Sequence, residues 1–438
     1  MRISQPIKRF LRLPDDHYVD PEVRVHFRRN FITNSVDVIF WLFGESFVSV
    51  ATILPVFASS LTKSPLLIGL VPALINAGWV IPQILMAGYV KRLGRKMPFA
   101  KAMAIVERLP YLILPLTAYL LNWISGDFAL IFFFGVIAWR GIASGMVALP
   151  WQEVIASVIP LPVRSRFFGF SRVFGRIAGV LGSGLTSIIL ARVSYPNNYA
   201  LSFLIGGLFI WFSFFFFSRT IEPKPRKDGL ETSSKHQSGP KRDFEAYKLI
   251  LMRDSNFRKY LFSRAFFQLG SMAIAFLAVH GIQRFNLADE QAGVFSGLLF
   301  LSGTLGFVII SLVGDHAGPR QTLLVSDILQ AFVLLLVIFS SSIWGIYLGF
   351  LILGFAQSGY IIGELIIALE LGSDEERPIY IGLARSLPGI FILISPLIGG
   401  FLVGQFGYRV MYFVALIFSL SGTLLLLGVR DRKNQTQA

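Results

Sequence analysis

The amino-acid sequence predicts an all-α membrane protein of twelve transmembrane helices in two six-helix bundles, and three observations carry that prediction. Of the 438 residues, 54% are hydrophobic and 15% charged, against about 25% charged in an ordinary soluble domain. Apolar runs of about 20 residues, the length a helix needs to cross about 30 Å of hydrocarbon, recur along the whole chain. A basic, Pro- and Ser-rich stretch then divides those runs into six and six.

In the first half the runs fall near 31–56, 66–90, 98–121, 128–150, 167–191 and 199–218; in the second, near 258–283, 291–313, 321–341, 344–370, 379–403 and 408–428. The expected organisation is an N-terminal segment 1–30, a bundle 31–218, a linker 219–257, a second bundle 258–428 and a tail 429–438. The run behind the charged leader MRISQPIKRFLRLPDDHYVDPEVRVHFRRN is too long and too polar for the core of a signal peptide, so no cleavage is expected. Trp123 and Trp344 fall at span boundaries and read as interfacial anchors.

The net charge of +15 is concentrated in the leader, the linker, the tail and the loops after even-numbered spans. The opposite loops carry Lys63, Arg192, Arg284 and Arg409. That asymmetry predicts both termini in the cytoplasm and leaves no soluble basic domain for nucleic acid. Absence of Cys removes disulfides, thiolate metal sites and thiol nucleophiles. No HExxH, GxSxG or G-x-x-x-x-G-K-[ST] pattern occurs, so neither an enzyme nor a nucleotide-driven pump is expected, and no cofactor or metal is implied. Short loops and zero Cys suit a bacterial inner membrane.

The halves echo one another. FRRNFITN (Phe27–Asn34) leads into span 1 and FRKYLFSR (Phe257–Arg264) into span 7. AGYVKRLGRK (Ala87–Lys96) follows span 2, and SLVGDHAGPR (Ser311–Arg320) follows span 8, with Gly94 over Gly318 and Lys96 over Arg320. Six spans return the chain to its starting side, so two such repeats share an orientation and are related by an axis along the membrane normal. On these loops the sequence resembles the major facilitator superfamily, whose signature after span two is Gly-x-x-x-Asp-Arg-x-Gly-Arg-Arg/Lys with a weaker copy after span eight. Arg92, Gly94, Arg95 and Lys96 match in the first copy, while Ala87 and Lys91 replace its Gly and Asp; Asp315, Gly318 and Arg320 match in the second. WRGIASG in span 4 is similar to the family's Arg-x-x-Gln-Gly, with Arg140 matching. The resemblance implies the two-bundle fold, gating at these loops with Asp315 as the remaining acidic latch, a central cavity lined by spans 1, 4, 7 and 10, and a monomer.

Charges within a span are costly and tend to face a cavity or a partner. In span 1, Asn34, Asp37, Trp41, Glu45 and Thr52 fall on one helical stripe. Span 4 aligns Arg140, Ser144, Val147 and Trp151; span 7, Arg264, Gln268 and Ser271; span 10, Gln357, Tyr360 and Glu364. These are the spans that the resemblance assigns to the cavity. Asp37, Glu45 and Glu364 are therefore the candidates for carrying a coupling proton, and Asn34, Trp41, Arg140, Ser144, Arg264, Gln268, Gln357 and Tyr360 those for holding substrate. Glu107 and Arg108 in span 3 and Asp327 in span 9 lie on helices that are peripheral in the family, where a local pair or snorkelling is expected. Arg172 and Arg176 share a face of span 5 with Gly179 and Ser183, a face that reaches either the cavity or span 8. Gly141/Gly145 and Gly175/Gly179 set small residues four apart for close helix approach.

The resulting expectation is a secondary transporter working by alternating access in the bilayer, proton-coupled, exporting amphipathic small molecules. An alternative is a proton-coupled carrier of a small organic anion or sugar, using Arg140, Arg264, Gln268 and Asn34. A second alternative, of another class, is a non-transporting receptor or lipid-handling protein on the same scaffold.

Overall fold

The computed structural model describes residues 13, 19–224, 240–370 and 376–430. Most of the predicted leader and tail, and residues 225–239 of the predicted linker, therefore lie outside the described residues. All regular structure among the described residues is helical, as hydrocarbon demands of a chain whose backbone must bond within itself. Among the described residues eleven helices are long and apolar enough to cross a membrane. One of them, Ile379–Leu427, contains Gly407 at φ 81° and ψ 170°, a conformation no helix accommodates. That glycine separates spans 11 and 12, between the apolar runs expected at 379–403 and 408–428, and brings the total to twelve.

The first span of each half is broken near mid-depth. Span 1 runs as a helix over Pro21–Glu45, a 3-10 turn over Ser46–Val48 and a second helix over Ile53–Leu61. Span 7 repeats the device with Ser255–Gly270, Ser271–Ala273 and Ile274–Arg284. Each begins on an aspartate cap: Asp20 accepts from the Glu22 N–H at 2.9 Å and Asp254 from the Phe257 N–H at 2.8 Å, satisfying a donor the first turn leaves open. The apolar run read from sequence as one continuous first span gave no sign of its break. The region read as linker ends in a helix, Pro240–Arg253.

Call the side where span 1 begins the near side and the opposite one the far side. On the far side a single apolar core runs through both bundles, from Phe57, Phe133 and Phe203 to Phe276, Phe295 and Phe350. On the near side there are three separate cores. One around Phe27, Phe31 and Phe167 and one around Met97, Val154 and Phe217 belong to the first bundle; one around Phe257, Tyr260 and Leu426 belongs to the second. The bundles are thus fused at the far side and packed independently at the near side. Polar contacts across the far interface agree: the Thr52 and Ser296 hydroxyls bond to each other, Ser187 donates to the Glu290 carbonyl at 3.0 Å, and Tyr199 donates to Asp289 at 2.8 Å. Within the first bundle, Gly141 and Gly145 of span 4 lie directly on span 2 at Leu74, Ile75 and Gly78, backbone against backbone. Any side chain there would force the helices apart.

Candidate functional site

A cavity of about 240 Å³ opens within the first bundle, and every residue lining it belongs to spans 1 to 6. Its walls carry Trp41, Trp79, Trp151 and Phe168, and its charged groups are Asp37, Glu107, Arg108 and Arg172. Aromatic walls with a few polar groups are the usual make-up of a small-molecule site.

Two linked ion clusters stand behind and beside this space. In the first, Arg108 of span 3 reaches Asp37 of span 1 at 3.3 Å and Glu107 at 3.4 Å. It also donates to the Ser213 hydroxyl at 3.1 Å, the Ile210 carbonyl at 3.1 Å and the Ala104 carbonyl at 3.2 Å, so three helices converge on one guanidinium. Its charge lies 4.9 Å from the Trp41 ring centre, where the aromatic face favours a cation. In the second, Arg140 of span 4 meets Glu45 at 2.5 Å and donates to the Tyr111 hydroxyl at 2.9 Å and to the Val48 carbonyl at 3.2 Å. The Val48 carbonyl is free to accept because span 1 breaks there, leaving it outside the regular helical ladder. Tyr111 in turn donates to Glu45 at 3.4 Å. Trp41 packs edge-on to Tyr111 at 5.6 Å between ring centres, joining the two clusters.

The second bundle is organised differently. Arg264 of span 7 grips Asp327 of span 9 through two hydrogen bonds, at 3.1 and 2.5 Å, with both side chains 0% exposed. One step toward the far side, Gln268 donates to the Tyr360 hydroxyl at 2.7 Å, and the Tyr360 ring stacks on Phe267 at 5.0 Å.

The sequence candidates therefore separate. Trp41 and Asp37 line the cavity. Glu45, Arg140 and Tyr111 form one cluster next to it. Ser144 is 9% exposed on the same helix as Arg140. Arg264 does not line the cavity: it stands in the second bundle, its guanidinium committed to Asp327. Asn34 is likewise turned inward: its amide donates to the Asn30 carbonyl at 2.8 Å and to the Thr220 hydroxyl at 3.0 Å, tying span 1 to the segment after span 6. Gln268, Gln357, Tyr360 and Glu364 lie on spans 7 and 10, away from the cavity lining. Arg108, Glu107 and Asp327, expected only to pair locally or snorkel, are the partners that complete the Asp37 and Arg264 pairs. Single-helix periodicity gives the face of a residue and cannot name the residue it meets on another helix.

At the near side the first signature loop is held by a residue the sequence reading passed over. Glu222, 6% exposed, accepts from the backbone N–H groups of Lys96 and Met97, both at 2.9 Å, and lies 4.0 Å from Arg95. It caps span 3 from the end of span 6, where a carboxylate also meets the positive helix end. Its place in the Pro- and Lys-rich RTIEPKPRK gave it the look of linker. Lys96 also approaches Glu153 at 3.8 Å, whereas Arg92 and Gly94 lie at the exposed turn. In the second loop Gly318 has φ 84°, and Arg320 donates to the Leu426 and Leu427 carbonyls at 3.2 and 2.6 Å, closing the end of span 12. Asp315 falls on the last turns of span 8, and its side chain lies outside the described residues.

Residues 260–438 match the family model described as Major Facilitator Superfamily. The chain is similar to the tetracycline resistance protein, class B, of Escherichia coli, with 27% identity over 157 residues, 35% of this chain. The match spans 39% of the length of that relative. Among solved structures, a nucleoside transporter superposes with a TM-score of 0.70 at 13% identity, covering 91% of this chain and 98% of that one. The E. coli xylose transporter in a partially occluded inward-open conformation gives 0.68 at 12% identity, covering 93% and 99%. Those identities speak for a common fold. The second half of the chain thus matches the major facilitator superfamily, and the whole chain shares the fold of these solved transporters.

Proposed function

We propose that this protein is a secondary transporter of amphipathic small molecules, acting by alternating access as a monomer in a bacterial inner membrane, with both termini cytoplasmic. The observation that carries the reading is the asymmetry of packing: one core shared by both bundles at the far side, separate cores and an open cavity at the near side. With the near side read as cytoplasmic from the basic loops, this is the inward-facing arrangement. Rocking the bundles about the shared core would close it and expose the far side.

Proton coupling rests on charge balance. Arg108 faces two carboxylates, Asp37 and Glu107. One guanidinium cannot neutralise both, so the cluster holds one formal negative charge in excess, a place where a proton is taken up and released. Glu45, 21% exposed and held by Arg140 and Tyr111, is the second candidate; Glu364 is the third. Export is favoured over uptake by the aromatic cavity and by the tetracycline resistance protein among the relatives. The reading as a carrier of sugars or small anions through Arg140, Arg264 and Asn34 is weakened by the internal partners those three groups already have.

The test uses everted membrane vesicles with an acid interior, followed with a pH-sensitive acridine dye. Hydrophobic cations, organic anions and sugars are added in turn. An exchanged substrate should release protons, and Asp37→Asn and Glu45→Gln should abolish or strongly reduce the response. Wild-type rates in both variants would defeat the coupling role, and binding without any proton or solute movement would favour a receptor.

A further inference from the structure

The carboxylates buried within the spans of the first bundle find cations, but the cations of its spans do not all find carboxylates. Asp37 and Glu107 meet Arg108, and Glu45 meets Arg140. Arg172 and Arg176, one turn apart on span 5, have no carboxylate and no hydrogen-bond partner among the described residues. Arg172 lines the cavity beside Phe168 and Trp41. Arg176 lies one turn deeper, its guanidinium 4.7 Å from the Phe307 ring centre on span 8 and directly against Gly303, which has no side chain to exclude it.

Arg172 is exposed and Arg176 half-buried, and two guanidinium groups on successive turns of one helix repel each other. What would satisfy them is an anion from outside the chain. Guanidinium donors match a carboxylate, sulfonate or phosphate group in particular, and the Trp and Phe walls next to Arg172 offer faces for an apolar or aromatic body. We propose that Arg172 at the cavity wall, supported by the charge of Arg176 one turn beyond it, holds the anionic group of a bound molecule, and that the transported molecules are amphipathic organic anions. The inference rests on the reading of the chain as a transporter. Asp37, Glu107 and Arg108 face the same cavity from spans 1 and 3 and remain the proton site; Arg172 and Arg176 set selectivity. An inside-negative membrane potential drives such an anion outward, in keeping with export.

The experiment compares three matched probes on the purified full-length protein in detergent: 1-naphthoate, neutral 1-naphthylmethanol and 1-naphthylmethylammonium. Dissociation constants are read from ligand-induced shifts in unfolding temperature. Naphthoate should bind at least about tenfold tighter than either other probe. Arg172→Gln and Arg176→Gln should each erase about that preference, while Arg172→Lys keeps most of it. The Gln variants should unfold at or above the wild-type temperature, since each removes one of two like charges a turn apart on one helix. The inference is overturned if the ammonium probe binds wild type as tightly as naphthoate, or if the double Gln variant binds naphthoate unchanged. Flux of naphthoate into proteoliposomes separates the two readings. Arginine-dependent binding without flux would sink the transporter and keep the site; equal flux in wild type and the double variant would sink the site and keep the transporter.

Discussion

Each bundle ties its first span to its third with an ion pair, and the signs are reversed between them. In the first bundle the acid is on the first helix and the base on the third, Asp37 with Arg108; in the second the base comes first, Arg264 with Asp327. The Arg264 pair is 0% exposed and matches one guanidinium to one carboxylate. The Arg108 pair borders a cavity and divides one guanidinium between two carboxylates. The same helix-to-helix connection is therefore a fully buried one-to-one pair in one half and an incompletely compensated pair at a cavity wall in the other. Fold symmetry distributes the positions, and local charge count decides which of them can do chemistry.

The largest effect that would break this comparison is expected in the fully buried pair. Arg264→Gln leaves the Asp327 charge buried without its partner and should cost about 3–5 kcal/mol in denaturant or thermal unfolding. The double variant Arg264→Met/Asp327→Leu removes both charges and should return to within about 1 kcal/mol of wild type or better. A single-variant cost below about 1 kcal/mol would remove the distinction between the halves.

Asp37→Asn should be milder, about 1–2 kcal/mol, because Arg108 keeps Glu107, the Ser213 hydroxyl and two backbone carbonyls. Its effect on proton-coupled flux should instead be nearly complete. If Asp37→Asn destabilises as strongly as Arg264→Gln, the two pairs are alike.

Much of the fold was legible in the sequence because bilayer thickness fixes the length of each apolar run, and Gly407 stands just where the last two runs part. The stripe on span 1 was legible for the same reason of regular period. What the stripe could not reveal is that its members look at different helices: Asn34 at the segment after span 6, Asp37 at span 3, Glu45 at span 4 and Thr52 across the far interface at Ser296. The helix is broken between Glu45 and Ile53, and neighbours change with depth. Tyr111 and Glu222 escaped notice because neither a lone span tyrosine nor a glutamate among prolines and lysines carries a pattern of its own.

Tyr111→Phe sharpens the picture inside the working half. It takes an acceptor from Arg140 and a donor from Glu45, and should cost about 1 kcal/mol while altering the pH profile of flux through Glu45. An unchanged profile would detach Glu45 from the coupling.

The smallest effect concerns the far-side closure. Burial raises the Asp289 carboxyl above its ordinary value of 3.8, although the Tyr199 hydroxyl partly offsets this. A carboxyl raised on folding holds its proton where the unfolded chain has lost it, so its contribution to stability falls as pH rises past that value. Asp289→Asn keeps an acceptor for Tyr199 and should be slightly more stable than wild type at neutral pH, with the difference vanishing in acid below 3.8. A variant less stable at neutral pH would contradict the sign.

The most direct test of the division between the halves sets Asp37→Asn beside Arg264→Met/Asp327→Leu in the same everted-vesicle assay, at matched amounts of folded protein. Substrate-driven proton release should disappear in the first and persist near the wild-type rate in the second. Persistence in Asp37→Asn together with loss in the double variant would contradict the account, and would move the coupling site into the second bundle.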